Sequence, residues 1–224
     1  MTQTHALSRH HVYGAALGAA VTLLVLLGTH PARAEDAAKD ARSSNQTGPI
    51  DLVKSSVARA QAIIQSQPDG GQRRAEIRQL VEGLFDFNEM ARRTLAQHWA
   101  ERSAQEQEEF VRLFTDLLER SYLTTIGNFR LATITFQGES VEGPAARVRS
   151  RITTERGSEI PVEYRLLERG GRWAVYDVAV EGVSLVSSYR SQFNSVIRNS
   201  SFARLLERLR NREARLVPGR SERP

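Results

Sequence analysis

The spacing of apolar residues changes twice along the chain, and this constrains the fold more than any other feature. From Pro49 to Tyr122, apolar residues recur at three- and four-residue steps, the spacing of amphipathic helices. From Leu131 to Val180 the period becomes two, which predicts strands, and from Val186 to Leu209 the helical spacing returns. Helices, then strands, then helices indicate an α+β domain.

Four segments have the character of strands: LATITF, ARVRSRITT, EIPVEYRLLE and RWAVYDVAVEG. In the second of them, Val148, Ser150 and Ile152 alternate with arginines, so one face of that strand should be buried. Short glycine-containing connections predict antiparallel neighbours. We therefore predict helices packed on a curved antiparallel sheet of four or five strands.

Several polar residues have the spacing of helix caps. Asp86 with Glu89, and Ser103 with Glu106, have the three-residue spacing of a capping box. Either Ser200 or Ser201 is suited to cap the last helix. Gly127-Asn128 is expected to end the long helix that begins near Ser103.

The first 34 residues are unlike the rest. Arg9 and two histidines precede an apolar run, Val12–Leu27, and Ala32 and Ala34 form an A-x-A pattern. These are the marks of a secretory signal peptide, cleaved after Ala34. We predict a polar, disordered lead-in at 35–48, a single domain at 49–211 and a flexible charged tail at 212–224.

Charge and cysteine content narrow the class of protein. The formal net charge of +5 falls to +3 when Arg9 and Arg33 are removed with the signal peptide. The remaining arginines alternate with glutamates along helices, which is typical of a solvated face rather than of a nucleic-acid site. The chain has no cysteine, hence no disulfide and no lipid-modified N-terminal Cys. We expect a soluble monomer in the periplasm.

Few residues have the pattern of a catalytic or metal site. His98 is the one histidine after the signal peptide, so a metal site or a Ser-His-Asp triad is not expected, and no phosphate-binding loop or cofactor motif is present. Asp177 lies within the fourth strand. A buried Asp there is a candidate general base, but a carboxylate held by an Arg or by backbone donors is the favoured interpretation. Gly182 is expected to permit the turn from strand to helix.

Three segments carry a family resemblance. FTDLLERSYL at Phe114–Leu123, VEYRLLERGGRWAVYDVAVEGVSLVSSYRSQF at Val162–Phe193 and MARRTLAQHW at Met90–Trp99 resemble the MlaC-type periplasmic phospholipid-binding proteins of the toluene-tolerance lipid-transport family. The resemblance runs from about Asp51 to Arg210. The polar lead-in and the Arg-rich tail are not part of it.

The resemblance implies an NTF2-like cone with an apolar cavity for the tails of a phospholipid. It implies docking to an inner-membrane MCE-domain ABC transporter and to an outer-membrane lipoprotein–porin complex, in the maintenance of outer-membrane lipid asymmetry. Arg190 is the candidate contact for the headgroup, although an ordinary surface ion pair explains it equally well. The candidate lining residues, each also explicable as plain core, are Phe114, Leu118, Tyr122, Ile126, Val162, Tyr164, Tyr176, Val178, Val180, Val183, Val186, Tyr189 and Phe193.

Three alternatives stay open at this stage. The ligand could be a hopanoid or another lipid carried by the same fold. The chain could instead be an enzyme with a cone-shaped pocket that uses Asp177 as acid or base. It could also be an adaptor between envelope complexes, with a filled core and no ligand.

Overall fold

The structure is a computed structural model that describes residues 47–66, 70–122, 133–154 and 157–211. The predicted signal peptide, nearly all of the predicted lead-in and the predicted tail lie outside these ranges, as do Ile126 and Gly127-Asn128. The described N-terminal half is helical. Its helices are α1 (Pro49–Ser66), α2 (Gly71–Leu84), α3 (Phe87–Leu95), followed by a 3₁₀ turn (Ala96–His98), and α4 (Ala104–Tyr122).

The strands follow one another in an antiparallel meander, confirming the predicted class. Their order in the sheet is the order of the chain. The fifth strand is only two residues long and leads directly into a helix. The elements are β1 (Thr133–Glu142), β2 (Ala145–Thr153), β3 (Glu159–Arg169), β4 (Arg172–Val180), β5 (Val183–Ser184), α5 (Leu185–Asn199) and α6 (Phe202–Arg210).

Two of the three predicted N-terminal helix caps form, and the third is only half formed. Ser103 and Glu106 form the predicted reciprocal box, with N···O distances of 2.9 and 3.2 Å, and Ser201 caps α6. The box predicted at Asp86 is only half formed. Asp86 accepts from the Glu89 N–H at 2.8 Å, but the Glu89 carboxylate turns away to bind arginines. Glu89 was therefore wrongly predicted as a capping partner.

One face of the sheet packs on the first two helices. Val148, Ser150 and Ile152 point to this face and are buried, as the alternation in β2 predicted. We name the resulting group the sheet cluster. Its buried apolar members are Val53, Val57, Ala60, Ile63 and Ile64 of α1, Ile77 and Leu84 of α2, and Ala146, Val148, Ile152, Ile160, Val162, Tyr164, Leu166, Val175, Val178 and Val180 of the strands.

The other helices form a second apolar group beside β4, which we name the helix cluster. Phe85, between α2 and α3, packs against both groups. The side chains of Arg165 and Asp177, register partners across β3 and β4, point to the face opposite the sheet cluster. The buried members are Met90, Ala91, Leu95, Phe110, Leu113, Phe114, Leu117, Leu118, Tyr122, Leu185, Val186, Tyr189, Phe193, Phe202, Leu205, Leu206 and Leu209.

A β-bulge lets β4 serve both clusters. Leu166 of β3 faces Val175, while Arg165 faces Asp177, so Tyr176 is the extra residue. The bulge keeps Val175 and Val178 in the sheet cluster, although their spacing is not even. Tyr176 instead packs against the helix cluster. Strand β4 is therefore a wall shared by two apolar regions.

Candidate functional site

The structure divides the predicted lining residues between the two clusters. Val183 is exposed in β5, and Ile126 lies outside the described residues. Four of the others belong to the sheet cluster: Val162, Tyr164, Val178 and Val180. Seven are members of the helix cluster or pack at its margin: Phe114, Leu118, Tyr122, Tyr176, Val186, Tyr189 and Phe193.

Aromatic rings fill the centre of the helix cluster. The Phe110 and Phe114 rings are stacked with centroids 5.8 Å apart, and the Phe193 ring meets both edge-on at 5.6 and 5.8 Å. Tyr189 meets Phe114 edge-on at 5.4 Å. These separations and angles are those that aromatic pairs prefer in close-packed cores. The helix cluster thus has the packing expected of a structural core.

The sheet cluster has a different composition and an open margin. Its buried members are mostly Val, Ile, Leu and Ala, and Tyr164 is the single aromatic side chain among them. Along its border, several apolar side chains are only partly buried. They are Ile50 and Leu52 of α1, Leu80 and Val81 of α2, Phe85 after α2, Ile134 and Phe136 of the edge strand β1, and Trp173 of β4. Apolar side chains therefore continue from the interior of this cluster to its edge.

Polar atoms are also buried on the sheet face. Gln61 of α1 and Ser150 of β2 are at most 4% exposed, and within the described ranges the Gln61 Oε1 and Ser150 Oγ atoms have no hydrogen-bond partner. The Tyr164 hydroxyl lies beside Ser150. Burial raises the pKa of Tyr164 to about 12, although the contact with Ser150 lowers it. The tyrosine is therefore a neutral hydroxyl at any physiological pH.

The Asp177 carboxylate is fully engaged in holding the fold. It accepts hydrogen bonds from Ser184 Oγ at 2.6 Å, the Val186 N–H at 3.0 Å and Arg165 Nη1 at 3.1 Å. This is the structural role favoured from the sequence, an Asp held by an Arg and a backbone donor. These donors fix the start of α5 to β4.

The turn between β4 and β5 depends on left-handed backbone conformations. Glu181 has φ of +50° and Gly182 has φ of +80°. The Glu181 N–H donates to the Pro161 carbonyl at 2.9 Å, which holds the turn against β3. The predicted structural role of Gly182 is confirmed, because residues that carry a side chain are disfavoured at this φ.

Arg190 lies beside a group of arginines that surrounds one buried carboxylate. Its Nε donates to the Arg93 carbonyl at 2.9 Å. The Arg93 guanidinium in turn lies 4.0 Å from the centre of the Tyr176 ring. The structure shows no acidic partner for Arg190, so the surface ion pair offered as an alternative is not seen among the described residues. A contact with a headgroup stays a prediction.

Glu89 is the carboxylate at the centre of this group. Its side chain has no exposed surface and accepts from Arg92, Arg93 and Arg169 at 2.6 to 2.9 Å. Burial alone would raise the pKa of Glu89, but the hydrogen bonds from Arg92 and Arg93 outweigh burial and lower it to about 2. This group was not predicted from the sequence. The i, i+3, i+4 spacing of Glu89, Arg92 and Arg93 was visible, but Arg169 is 80 residues away.

The described residues contain none of the groupings of acidic and histidine side chains that could hold a metal ion. None of their helices combines the length and apolar character needed to cross a bilayer.

A five-stranded antiparallel meander with one apolar cluster of helices against its face and another beside β4 defines an α+β protein. The MlaC protein family matches residues 52–211, and the chain belongs to this family. The resemblance seen in the sequence is thereby confirmed. The chain is 33% identical over 86 residues to "Toluene tolerance protein ttg2D" of Pseudomonas putida, a stretch covering 36% of this chain and 40% of that protein. The match thus spans well under half of the curated relative.

A solved structure is also similar over nearly its whole length. It is that of the phospholipid-binding protein from Ralstonia solanacearum in complex with a phospholipid. The two chains superpose with a TM-score of 0.68 at 25% identity, covering 75% of this chain and 97% of the other.

Proposed function

We propose that this protein is a periplasmic phospholipid carrier. It covers the acyl chains of a lipid and shuttles it between an outer-membrane lipoprotein–porin complex and an inner-membrane MCE-domain ABC transporter. In this way it helps to maintain outer-membrane lipid asymmetry. The observation that carries the proposal is the similarity to a phospholipid-bound structure over 97% of that chain. Membership of the MlaC family supports it.

The free energy of exposing lipid tails explains why a carrier is needed. Burying one methylene group is worth about 0.8 kcal/mol, so the roughly 30 methylenes of a diacyl lipid cost on the order of 20 kcal/mol in water. A protein that covers the tails removes most of this cost. It does not by itself drive net transport, so the direction must come from partners or from relative affinities.

The acyl chains are proposed to enter between the sheet and α1–α2. The sheet cluster is aliphatic, and its apolar margin runs along α1, α2 and β1. The helix cluster, by contrast, is centred on interlocking rings. Moving α1 and α2 away from the aliphatic face of the sheet breaks fewer specific contacts than moving the interlocking rings of the helix cluster apart. Of the predicted lining residues, Val162, Tyr164, Val178 and Val180 then contact the tails directly.

The seven predicted lining residues of the helix cluster are assigned a supporting role. The aromatic ones, such as Phe114 and Phe193, form the rigid base against which β4 packs. Export to the periplasm is supported by the sequence pattern of residues 1–34. We propose that the chain acts as a monomer, without cofactor and without catalysis of its own. The engagement of Asp177 by three donors supports the last point.

Native mass spectrometry of the mature protein, purified without detergent, tests the proposal. A stoichiometric adduct of phospholipid mass is expected, and extraction then identifies the headgroup. A hopanoid mass would change the ligand but keep the carrier mechanism. A protein that stays bare after incubation with liposomes would contradict the carrier function. The adaptor and the enzyme would then be the remaining candidates.

Transfer to partners needs a separate assay. Lipid-loaded protein is mixed with the MCE-domain component or with the lipoprotein–porin complex in separate reactions, and lipid movement is followed by mass. Movement to or from both partners is expected. An exchange with neither partner would limit the function to lipid binding.

A further inference from the structure

Four arginines converge at the surface between α3, α5 and the end of β3. Arg92 and Arg93 extend from α3, Arg169 is the last residue of β3, and Arg190 extends from α5. The first three donate to the Glu89 carboxylate. Arg190 donates to the Arg93 carbonyl at 2.9 Å, which places it beside them. We name these four residues the arginine surface.

The guanidinium groups of the arginine surface are open to solvent. The side chains of Arg92 and Arg169 are 50% and 54% exposed, and that of Arg93 is 33% exposed. Arg190 is exposed as well. Each guanidinium carries five N–H donors. Among the described residues, carboxylates use at most two donors on any one of these arginines, so donors remain for an external acceptor.

The arginine surface carries more positive than negative charge. Its carboxylates among the described residues are Glu89, which is fully buried, and Asp86, which lies 3.4 Å from Arg169. Four cations and two anions leave an excess of two positive charges. Arg190 contributes to this excess, because its bonded partner is a backbone carbonyl and not a carboxylate. The carboxylates bound to Arg165 form a separate group on β3 and β4.

The contacts beneath the surface hold the guanidinium groups in fixed positions. Glu89 accepts two hydrogen bonds from Arg92, through Nε at 2.9 Å and Nη2 at 2.6 Å. The Arg93 guanidinium lies 4.0 Å from the centre of the Tyr176 ring, within the range of a cation–π contact. Arginines that are already ordered lose little side-chain entropy when they bind a further anion. Fixed donors of this kind favour carboxylates at defined positions over mobile lipid headgroups.

The arginine surface adjoins the proposed lipid region. Phe85, a partly buried residue at the margin of the sheet cluster, directly precedes Asp86. The Asp86 N–H donates to the Val175 carbonyl of β4 at 2.9 Å, and its carboxylate binds Arg169. A protein bound to these arginines would therefore lie beside the margin of the region where the acyl chains are proposed to enter.

An acidic protein surface fits these arginines better than a membrane does. Proteins that bind membranes usually insert apolar side chains beside their basic residues. Among the described residues, the exposed large apolar side chains are Val141 and Val183, and neither belongs to α3, α5 or the β3–β4 turn. We propose that the arginine surface docks an acidic face of the partner protein that delivers or receives the lipid. The inference rests on the proposed carrier function and assigns the place and the chemistry of docking.

Charge reversal at Arg190 tests the inference, because Arg190 is exposed and does not bind Glu89. Arg198→Glu is the matched control, since Arg198 is an exposed arginine of the same helix outside the arginine surface. Affinity for the purified MCE-domain component and for the lipoprotein–porin complex is measured by biolayer interferometry at low and at high salt. The wild type and Arg198→Glu should bind at least one partner, and more weakly at high salt. Arg190→Glu should bind that partner roughly tenfold more weakly than the wild type.

Lipid loading, followed by native mass spectrometry, separates the inference from the carrier function. Both variants should load phospholipid as the wild type does. Unchanged partner affinity in Arg190→Glu, or an affinity that does not depend on salt, would overturn the inference and leave the carrier intact. A wild type that loads lipid but binds neither partner would overturn it too. Failure of the wild type to load lipid would defeat the proposed function itself.

Two further measurements complete the test. Should Arg190→Glu fail to fold, Arg190→Gln decides, because loss of the charge alone should weaken partner binding in the same direction. Sedimentation with phosphatidylglycerol vesicles, compared with phosphatidylcholine vesicles, tests a membrane as the occupant. Binding to the anionic vesicles that Arg190→Glu abolishes, with partner affinity unchanged, would make the surface a membrane contact and overturn the inference.

Discussion

The carboxylate of Asp177 in β4 accepts a 3.0 Å hydrogen bond from the backbone N–H of Val186 in the first turn of α5. The same carboxylate accepts from Ser184, whose hydroxyl also caps the helix by accepting from the Ser187 N–H at 3.0 Å. A single buried side chain thus joins the sheet to the helix that carries Tyr189. The position and the orientation of α5 therefore depend on the Asp177 side chain.

Removing this carboxylate should destabilise the fold strongly. Asp177→Ala leaves the Val186 N–H and the Ser184 hydroxyl without this acceptor and leaves Arg165 with Glu163 alone, so a loss of about 3 kcal/mol in the free energy of unfolding is expected. Urea titration measures it. Glu163→Ala is the control, because Glu163 pairs with the same Arg165 but is partly exposed, and it should cost about 0.5 kcal/mol. Equal losses in the two variants would contradict a special role for Asp177.

Stability should fall in acid because of Glu89. Its pKa lies at about 2 in the folded protein, below the ordinary value of 4.5. A carboxyl group whose pKa is lower in the folded than in the unfolded protein stabilises the fold fully at pH values above its unfolded pKa. This contribution is lost as the pH falls through its folded pKa. About 3 kcal/mol should therefore be lost between pH 4.5 and pH 2.

Urea unfolding at several pH values in this window tests the contribution of Glu89. Glu89→Gln should be less stable than the wild type at neutral pH and should show a flatter dependence below pH 4.5. Glu109→Gln is the matched control, because Glu109 pairs with Arg210 on the surface and should contribute little. The assignment is wrong if Glu89→Gln keeps the full acid dependence of the wild type.

Substitution by a larger side chain should have different effects in the proposed ligand region and in the structural core. Val178→Trp in the sheet cluster is expected to keep the fold and to lower phospholipid occupancy at least tenfold, because the larger ring takes the space of the tails. Leu206→Trp in the helix cluster should instead lower the free energy of unfolding by about 2 kcal/mol, as extra volume in a filled core does. Native mass spectrometry and thermal unfolding are measured for both. Unchanged occupancy in folded Val178→Trp would place the lipid elsewhere.

Two glycines should respond to alanine in opposite directions. Gly83 is exposed within α2, and an added Cβ would meet no atom within 4 Å, so Gly83→Ala should stabilise the protein by up to about 1 kcal/mol. An added Cβ at Gly182 also meets nothing, but its φ of +80° disfavours a side chain. Gly182→Ala should therefore destabilise by about 1 kcal/mol. Thermal unfolding compares the two, and a stabilising effect at Gly182 would refute the argument from backbone conformation.

Much of the local structure was predictable because local patterns report it. The apolar face of α4 and the alternation of Val148, Ser150 and Ile152 were read correctly, since each depends on the geometry of one element. The capping box at Ser103 formed for the same reason. The one at Asp86 did not, because the Glu89 carboxylate binds Arg169 from a distant strand, and arginine donors compete successfully with a backbone N–H.

The sequence by itself determined the class of fold, the order of the elements and the absence of cysteine, which follow from periodicity and composition. The resemblance of particular segments to the MlaC family, and not periodicity, indicated the family. Only the tertiary structure decided that the candidate lining residues divide between an aliphatic and an aromatic cluster. The bulge at Tyr176 contributes to that division, because it shifts the register of β4 so that Val175 and Val178 face the sheet cluster while Tyr176 packs against the helix cluster. Contacts of this kind depend on packing between distant segments, which no local pattern encodes.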